Sequence, residues 1–360
     1  MSLLRFRLAG LIVFAALSAF PHRAGGAQAQ AVAQTLPDVS KIGPQVGATV
    51  PAFSLRDQNG IVRTLNQLMG PKGRMLIFSR SADWCPYCRT QMVEIQGRLA
   101  DLRKQGLSVA VITYDPIPIL KDFASNRGLT YPMLSDPGST TIKRYGLLNT
   151  TVDPSNPEFG YPFPGTFILN PKGVVTSRFF EPAYTERNTV ASVLVRLGNM
   201  VDVPATKISS PNLDITSYIT DTLVTRGTHF SVVLDVTPGP RVHVYAPDVR
   251  GYKPIALTIE RQPLVVTRDT QFPVPEDYFF APLNEHVPVY QKPFRIVHDL
   301  MIEAGPAGRA FVAGGPRPLT IKGVLSYQAC DDKVCFVPQT VPLSWTVMVR
   351  EVDRTAVVKP

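Results

Sequence analysis

Cysteine is scarce in this chain: there are four in 360 residues. Tryptophan is scarcer, with two, and the five histidines (His22, His229, His243, His286 and His298) are scattered. Two cysteine pairs without a matching His nearby make half a metal site at most, so no metal is expected, and no cofactor. Charged residues are only 18% of the chain. No dense Lys/Arg run interleaved with aromatics occurs, so nucleic acid finds no support as a partner. After residue 20 no stretch approaches the ~18 apolar residues of a membrane-spanning helix, and the mature chain is not expected to cross a membrane. No internal repeat is present.

At the start of the chain, Arg5 and Arg7 precede an apolar run over 8–20, and Ala27-Gln28-Ala29 offers a small-residue cleavage site. Residues 1–31 therefore read as a secretory signal, with an uncleaved anchor as the rival, and the mature protein is expected to be periplasmic or secreted. No Cys follows the run to carry a lipid. The formal charge is +9; removing Arg5, Arg7 and Arg23 with the signal leaves +6. A composition of 44% hydrophobic residues is that of a folded protein, long enough for two domains.

Residues 32–45, rich in Gln, Pro and small residues, read as a flexible leader. Strand and helix patterns then alternate. A hairpin is expected from 52–55 and 61–65 around Gln58-Asn59-Gly60, and short apolar strands over 74–79 and 108–114. Helices are expected over 85–105, over 118–127 with Gly128 as its stop, over 139–145 and over 185–200, with a second hairpin at 166–180. Residues 46–200 should thus form an α/β domain, a central sheet with helices on both faces. Residues 201–214 read as a polar linker. From 215 to 352 short β-rich runs alternate with Pro and Gly turns, the pattern of an antiparallel β-sandwich. Residues 353–360 remain as a tail.

The four cysteines lie as Cys85-Pro86-Tyr87-Cys88 and Cys330-Asp331-Asp332-Lys333-Val334-Cys335. Loops this small constrain the unfolded chain little, which favours redox chemistry over stapling. Cys85 falls where a strand passes into a helix and should cap it, with Pro86 at the first helical position. The helix dipole favours a thiolate there, with a pKa near ~7 or below, so Cys85 is expected to be ionised and reachable. Cys88, one turn on, is placed to resolve a mixed disulfide. Cys330 and Cys335 bracket a four-residue hairpin cap. The loop 149–163, with three prolines, is a candidate gate or a plain surface insertion.

Residues 46–200 resemble the thioredoxin superfamily in its redoxin, AhpC/TSA branch. The resemblance rests on Val46-Gly47-Ala48-Thr49-Val50-Pro51, on Trp84-Cys85-Pro86-Tyr87-Cys88, on Tyr131-Pro132-Met133-Leu134, and on Pro164-Gly165-Thr166-Phe167. It implies a thioredoxin-like fold, catalysis by Cys85 and Cys88, and a substrate face built from Trp84, Pro86, Tyr87, Phe163 and Pro164, with Pro164 as the superfamily's cis-proline. Peroxidases of this branch place a Thr three residues before the reactive Cys and an Arg near the Pro-Gly-Thr-Phe strand. Here those positions hold Ala82 or Cys85, and no Arg lies between Tyr145 and Ile168. The buried Asp that thioredoxins carry six residues before the first cysteine is replaced by Ser79; Asp83 and Glu94 are candidates for its proton-transfer role.

Residues 215–350 resemble the N-terminal domain of the transmembrane disulfide reductase DsbD, an immunoglobulin-like sandwich. The carriers are His243-Val244-Tyr245-Ala246-Pro247 and Tyr327-Gln328-Ala329-Cys330 through Cys335-Phe336-Val337-Pro338. This implies that Cys335 attacks a partner disulfide and Cys330 resolves it. From their places beside the pair, Tyr327 and Phe336 are expected to shield the bond. The expected activity is a thiol:disulfide oxidoreductase in which the two pairs exchange electrons. It would act on protein or small-molecule disulfides and thiols and be served by a membrane-bound or soluble thiol donor. Two alternatives are a thiol peroxidase and a redox-regulated binding module.

Overall fold

The computed structural model describes residues 38–281 and 284–355. The expected signal, the first part of the leader and the last part of the tail lie outside the described residues.

The first sheet holds β1 (Ser54–Asp57), β2 (Val62–Thr64), β3 (Gly73–Phe78), β4 (Leu107–Thr113), β5 (Met133–Ser135), β6 (Gly165–Leu169) and β7 (Val175–Phe180), in the order β2-β1-β5-β4-β3-β6-β7. β3, β4 and β5 run parallel, and β6 and β7 return antiparallel. Alternation along β3 explains why both faces need cover. Met75 and Ile77 enter one core with Val109 and Val111, while Leu76 and Phe78 enter another with Ala110 and Ile112. The helices are α1 (Pro86–Gly97), α2 (Leu99–Lys104), α3 (Ile117–Arg127) and α4 (Thr140–Arg144). One helix was expected over 85–105. It is broken at Arg98, where φ −110° and ψ 10° leave helical geometry directly after Gly97, a poor helix former. Gly128 ends α3 in the left-handed conformation, as its position predicts.

The helix expected over 185–200 also begins late. Residues 187–188 are extended as β8 (Arg187–Asn188), and α5 (Val190–Arg196) starts after Thr189, whose hydroxyl accepts from Ser192 N–H.

The second half is built from β9 (Ala205–Ser210), β10 (Leu213–Ile219), β11 (Leu223–Thr225), β12 (Thr228–Pro238), β13 (His243–Tyr245), β14 (Ala256–Ile259), β15 (Val265–Gln271), β16 (Glu276–Phe280), β17 (Glu285–Tyr290), β18 (Phe294–Ile302), β19 (Arg317–Tyr327), β20 (Ala329–Cys330) and β21 (Gln339–Arg350), with a short α6 (Pro306–Val312). One sheet runs β15-β18-β12-β10-β9, a second β11-β21-β19-β14, and a small third β16-β17-β13-β20. β21 alternates strictly, sending Val341, Leu343, Trp345, Val347 and Val349 into the sandwich core. β12 is apolar on both faces because both are covered. Phe230, Val232, Leu234 and Val236 face that core, and Val233 joins α5 and the first domain's helices.

The polar stretch 201–214, expected to be a linker, supplies β9 and the start of β10, paired antiparallel. Its Thr and Ser side chains suit an exposed edge strand, which polarity alone does not separate from a loop. The end of the leader is tied down as well: Arg178 donates to the carbonyls of Val39, Ser40 and Ile42. The start of the tail is held likewise, with Val352 buried in the first domain's core and Asp353 bound by Arg127 at 2.9 Å.

The two halves share a strand. β8 pairs in parallel with the start of β12, beyond the reach of β10. Arg187 N–H donates to Gly227 C=O. Gly227 has φ +76°, and a Cβ there would lie 2.1 Å from the Thr185 carbonyl oxygen, so glycine is required at this crossing. Ion pairs flank it: Arg98 with Asp221, Arg196 with Asp299 and Arg268 with Glu186. Among the described residues no helix is long and apolar enough to cross a membrane.

Candidate functional site

Cys85 caps α1 from an extended backbone (φ −92°, ψ 100°), with Pro86 behind it. Its Sγ accepts from Cys88 N–H at 3.4 Å, and the two cysteines are joined as a disulfide. The loop leading in is fixed from below. Asp115, at the end of β4, accepts from Ser81 Oγ at 2.8 Å and Ala82 N–H at 2.7 Å, while Ser81 Oγ accepts from Asp83 N–H at 2.9 Å. Burial pushes the Asp115 carboxyl up to about 6, against the pull of those donors.

The sulfurs are covered. Cys85 is 1% exposed and Cys88 is not exposed at all, so the expectation that Cys85 is reachable is not met in this disulfide form. The motif's two aromatics are engaged in the cover. The Arg80 guanidinium lies 4.4–4.6 Å from the ring centroids of Trp84, Tyr161 and Tyr184. Tyr184 meets Tyr87 edge-on, Trp84 Nε1 donates to Tyr114 Oη at 2.8 Å, and Tyr87 Oη accepts from Arg226 of the second half. Tyr161 belongs to the proline-rich loop, which thus forms part of the site's wall.

Sequence reasoning missed Arg187. Its Nη2 donates to Cys88 Sγ at 3.2 Å, while Nη1 donates to the carbonyls of Tyr184 and Glu186. Burial, with like charge from Arg80, pulls the guanidinium down to about 9, still cationic at neutral pH. A cation at that range favours a thiolate on Cys88. Arg187 fell inside a stretch expected to be helix, and the contact spans 99 residues. The local signal available was Thr189 as an N-cap, which would have left 187–188 outside the helix.

Glu94 is not a solvated surface charge. Its carboxylate accepts from Val190 N–H at 3.1 Å, and burial, with Asp221 nearby, pushes it up to about 8. It lies nearly two turns beyond Cys88 on α1, so no contact ties it to the sulfur. His229 comes together with Glu181 and Glu186, its Nε2 2.9 Å from Glu186. Arg268 and Asn188 already engage these carboxylates.

Phe163 and Pro164 are half-buried. Pro164 is not cis: no cis peptide bond occurs among the described residues. Leu148 bridges Pro162, Phe163 N–H donates to Leu147 C=O, and β6 begins at Gly165, so the chain runs extended through this point and the ordinary trans form serves.

The second pair is also a disulfide, closing a hairpin cap in which Cys330 bridges Cys335 and Asp331 N–H donates to Val334 C=O. Cys330 is buried and Cys335 exposed. The aromatic beside Cys335 Sγ is Tyr245, with its Oη at 3.7 Å. Tyr327, expected as a shield, turns away to Ser210 and Pro211. His243, directly across from Cys330, has its imidazole pKa lowered by burial.

The two pairs are not brought together. Arg187, on Cys88, is in register with Thr228 at the start of β12, and the Cys330 cap lies beyond the other end of β12, past Pro238. β21 measures the same span from Arg350 to Gln339. A strand of eleven or twelve residues separates the dithiols by roughly 30 Å or more.

Comparison with known proteins agrees with this two-part organisation. The AhpC/TSA family model matches residues 46–178, and the model described as thiol:disulfide interchange protein DsbD, N-terminal, matches 218–344. Alkyl hydroperoxide reductase E of Mycobacterium tuberculosis is 31% identical over 138 residues, covering 38% of this chain and 84% of that protein. The 1-Cys peroxiredoxin PER1 of Hordeum vulgare is 24% identical over 176 residues, 47% of this chain and 78% of that one. Among solved structures, peroxidoxin BcpB of Mycobacterium tuberculosis matches with a TM-score of 0.34 and 25% identity over 38% of this chain and 86% of that one.

Proposed function

Since the chain belongs to the AhpC/TSA family through residues 46–178 and carries a DsbD-type N-terminal domain behind them, we propose that this oxidoreductase is a thiol:disulfide exchange enzyme acting outside the cytoplasm. The supporting observation is the helix-capping Cys85 with Cys88 one turn on and the Arg187 guanidinium 3.2 Å from the Cys88 sulfur. In the reduced enzyme the Cys85 thiolate attacks one sulfur of a substrate disulfide, forming a mixed disulfide and expelling one substrate thiolate. The Cys88 thiolate, held ionised by Arg187, attacks Cys85 Sγ, closes the disulfide and releases the second thiolate. Two electrons pass from enzyme to substrate. Because both sulfurs are covered, displacement of the aromatic cover around Trp84 and Tyr87 precedes attack.

Cys335, exposed at the far end of the sandwich, is the docking sulfur for a thiol partner, with Cys330 resolving. The roughly 30 Å between the pairs means that each serves its own partner in this arrangement, and that electron exchange between them requires the domains to part or a second molecule to intervene. The extracytoplasmic placement rests on residues 1–31; a mature N-terminus other than one beginning near residue 30 in a secreted fraction would count against it.

Arg187 also favours a second reading. It supplies the guanidinium that residues 145–168 lack, so a peroxide could be polarised at Cys88. Position 85 still offers a sulfur where peroxidases of the branch offer a Thr hydroxyl, which keeps disulfide exchange ahead. Turnover of hydroxyethyl disulfide and of hydrogen peroxide by the full chain, beside Cys85→Ser and Cys88→Ser, separates the two. Disulfide turnover should exceed peroxide turnover and vanish in both variants. Faster peroxide turnover, surviving in Cys85→Ser, would put the peroxidase first.

A further inference from the structure

Between the outer face of α1 and the segment that leads into β12 lies a cleft whose wall includes Tyr87, Glu94, Arg187, Val224, Arg226 and Arg350. Its charge is unbalanced. Arg226 is 1% exposed, and its Nε donates to Glu351 and its Nη1 to Tyr87 Oη and the Ala304 carbonyl, but its Nη2 is buried without a partner. Arg187 is 8% exposed and has a buried, unpartnered Nε; Arg350, also in the wall, has one as well. Across these guanidinium groups Glu351 is the one carboxylate that accepts a hydrogen bond, among the described residues. Glu186, next to Arg187 in sequence, turns its carboxylate to His229 and Arg268 instead. Buried guanidinium donors left unmade are costly, and a charge-assisted hydrogen bond from a guanidinium to a carboxylate is among the strong ones.

We propose that this cleft binds a small carboxylate, held by Arg226 Nη2 and Arg350, whose presence is sensed at Cys88 through Arg187. The enclosed space is about 30 Å³ measured to the centre of a water-sized sphere, room for two or three waters or one carboxylate group. Its open side lets the rest of a short acid project. The apolar stretch of wall at Tyr87 and Val224 suits an alkyl stem. Arg187 stands in the wall with Nη2 on the Cys88 sulfur, so an anion in the cleft competes with a Cys88 thiolate for the same cation. By reciprocity, the acid binds more tightly to the disulfide form than to the thiolate form. The site draws Arg226 and Arg350 from the second half and Arg187 from the first, so it exists only while the two are docked.

The probe is sodium propionate, titrated against the full-length oxidised protein at constant ionic strength with sodium chloride as the compensating salt. Thermal midpoint and calorimetric affinity are the readouts. Propionate should raise the midpoint where propionamide does not, and Arg350→Gln should weaken binding at least tenfold. Arg226→Lys, which keeps the charge and removes the fork, should weaken it as well; if that variant does not fold, Arg350→Gln alone decides. No binding, or binding untouched by Arg350→Gln, would overturn the site. In the reduced protein, propionate should slow iodoacetamide labelling of Cys88 at pH 7 several-fold, read by peptide mass, while labelling of Cys335 stays constant. Binding with no change at Cys88 would overturn the link to the dithiol.

Discussion

The two disulfides occupy opposite ends of the molecule and opposite physical environments. Cys85–Cys88 is fully covered, capped on a helix, beside a buried guanidinium, and pinned through Tyr87 to the neighbouring domain. Cys330–Cys335 closes a hairpin, with Cys335 exposed and the Tyr245 hydroxyl near its sulfur. One pair is activated and enclosed, the other is plain and open. The helix start and Arg187 set the chemistry of the first pair, whereas tertiary cover sets its availability.

The largest effect expected from this contrast is kinetic. Under mild reduction with dithiothreitol followed by alkylation, Cys335 should be labelled on the order of 100-fold faster than Cys85, because thiol exchange needs access as well as ionisation. Equal rates would dissolve the distinction. Next in size is Arg187→Met. Loss of a cation within contact distance should raise the Cys88 thiol by about 1–3 pKa units and slow its labelling at pH 7 by about tenfold or more, once reduced. Cys335 should not respond.

The interface sharpens the comparison further. Asp353 accepts two hydrogen bonds from Arg127, each 2.9 Å, and sits 3.6 Å from Arg89, the residue after Cys88. Burial works to raise its carboxyl, but Arg127, the Thr355 N–H and Arg89 outweigh it and hold it below the usual carboxylate range. Asp353→Asn should cost roughly 1–3 kcal/mol, less than a fully buried pair because one edge meets water. It should also speed Cys85 and Cys88 labelling several-fold, leaving Cys335 unchanged.

Glu94 gives the first region a pH signature. Its folded carboxyl titrates at about 8, above its unfolded value, so the native state holds the proton longer. Stability linked to this group is present below pH ~4.5 and is lost as pH rises toward about 8. Glu94→Gln should flatten that decline, raising the melting temperature at pH 8.5 relative to wild type by about 2–4 °C for each kcal/mol relieved. No change in slope between pH 5 and 8.5 would remove Glu94 from the account.

What the sequence carried and what it did not divide along the range of the interactions. The β3–α1 passage, Cys85 as cap, Pro86 behind it, Gly128 as stop and the strict alternation of β21 are local patterns, and all are where the residues placed them. The proton-bearing carboxylate missing at Ser79 is a different matter. Asp115, which takes the loop's donors, arrives from just beyond the next strand in the sheet, 34 residues on from Ser81. Arg187 arrives from 99 residues away on a strand that exists only because β12 offers it an edge. Arg80, Trp84, Tyr161 and Tyr184 meet in space, and no spacing rule encodes that. Polarity misassigned 201–214 because an exposed edge strand and a linker share one composition.

The smallest effect tests the plain end. Burial holds the Tyr245 phenol up to about 12, so near neutral pH it is a neutral donor 3.7 Å from Cys335 Sγ. A neutral hydroxyl at that distance stabilises a thiolate far less than a guanidinium does. Tyr245→Phe should therefore change the Cys335 labelling rate by no more than about threefold, ~0.65 kcal/mol, the low end of the net worth of a neutral hydrogen bond, because 3.7 Å is a long contact. A tenfold loss, on the scale expected for Arg187→Met at Cys88, would mean that Tyr245 activates the exposed sulfur, and the two ends would then differ in access alone.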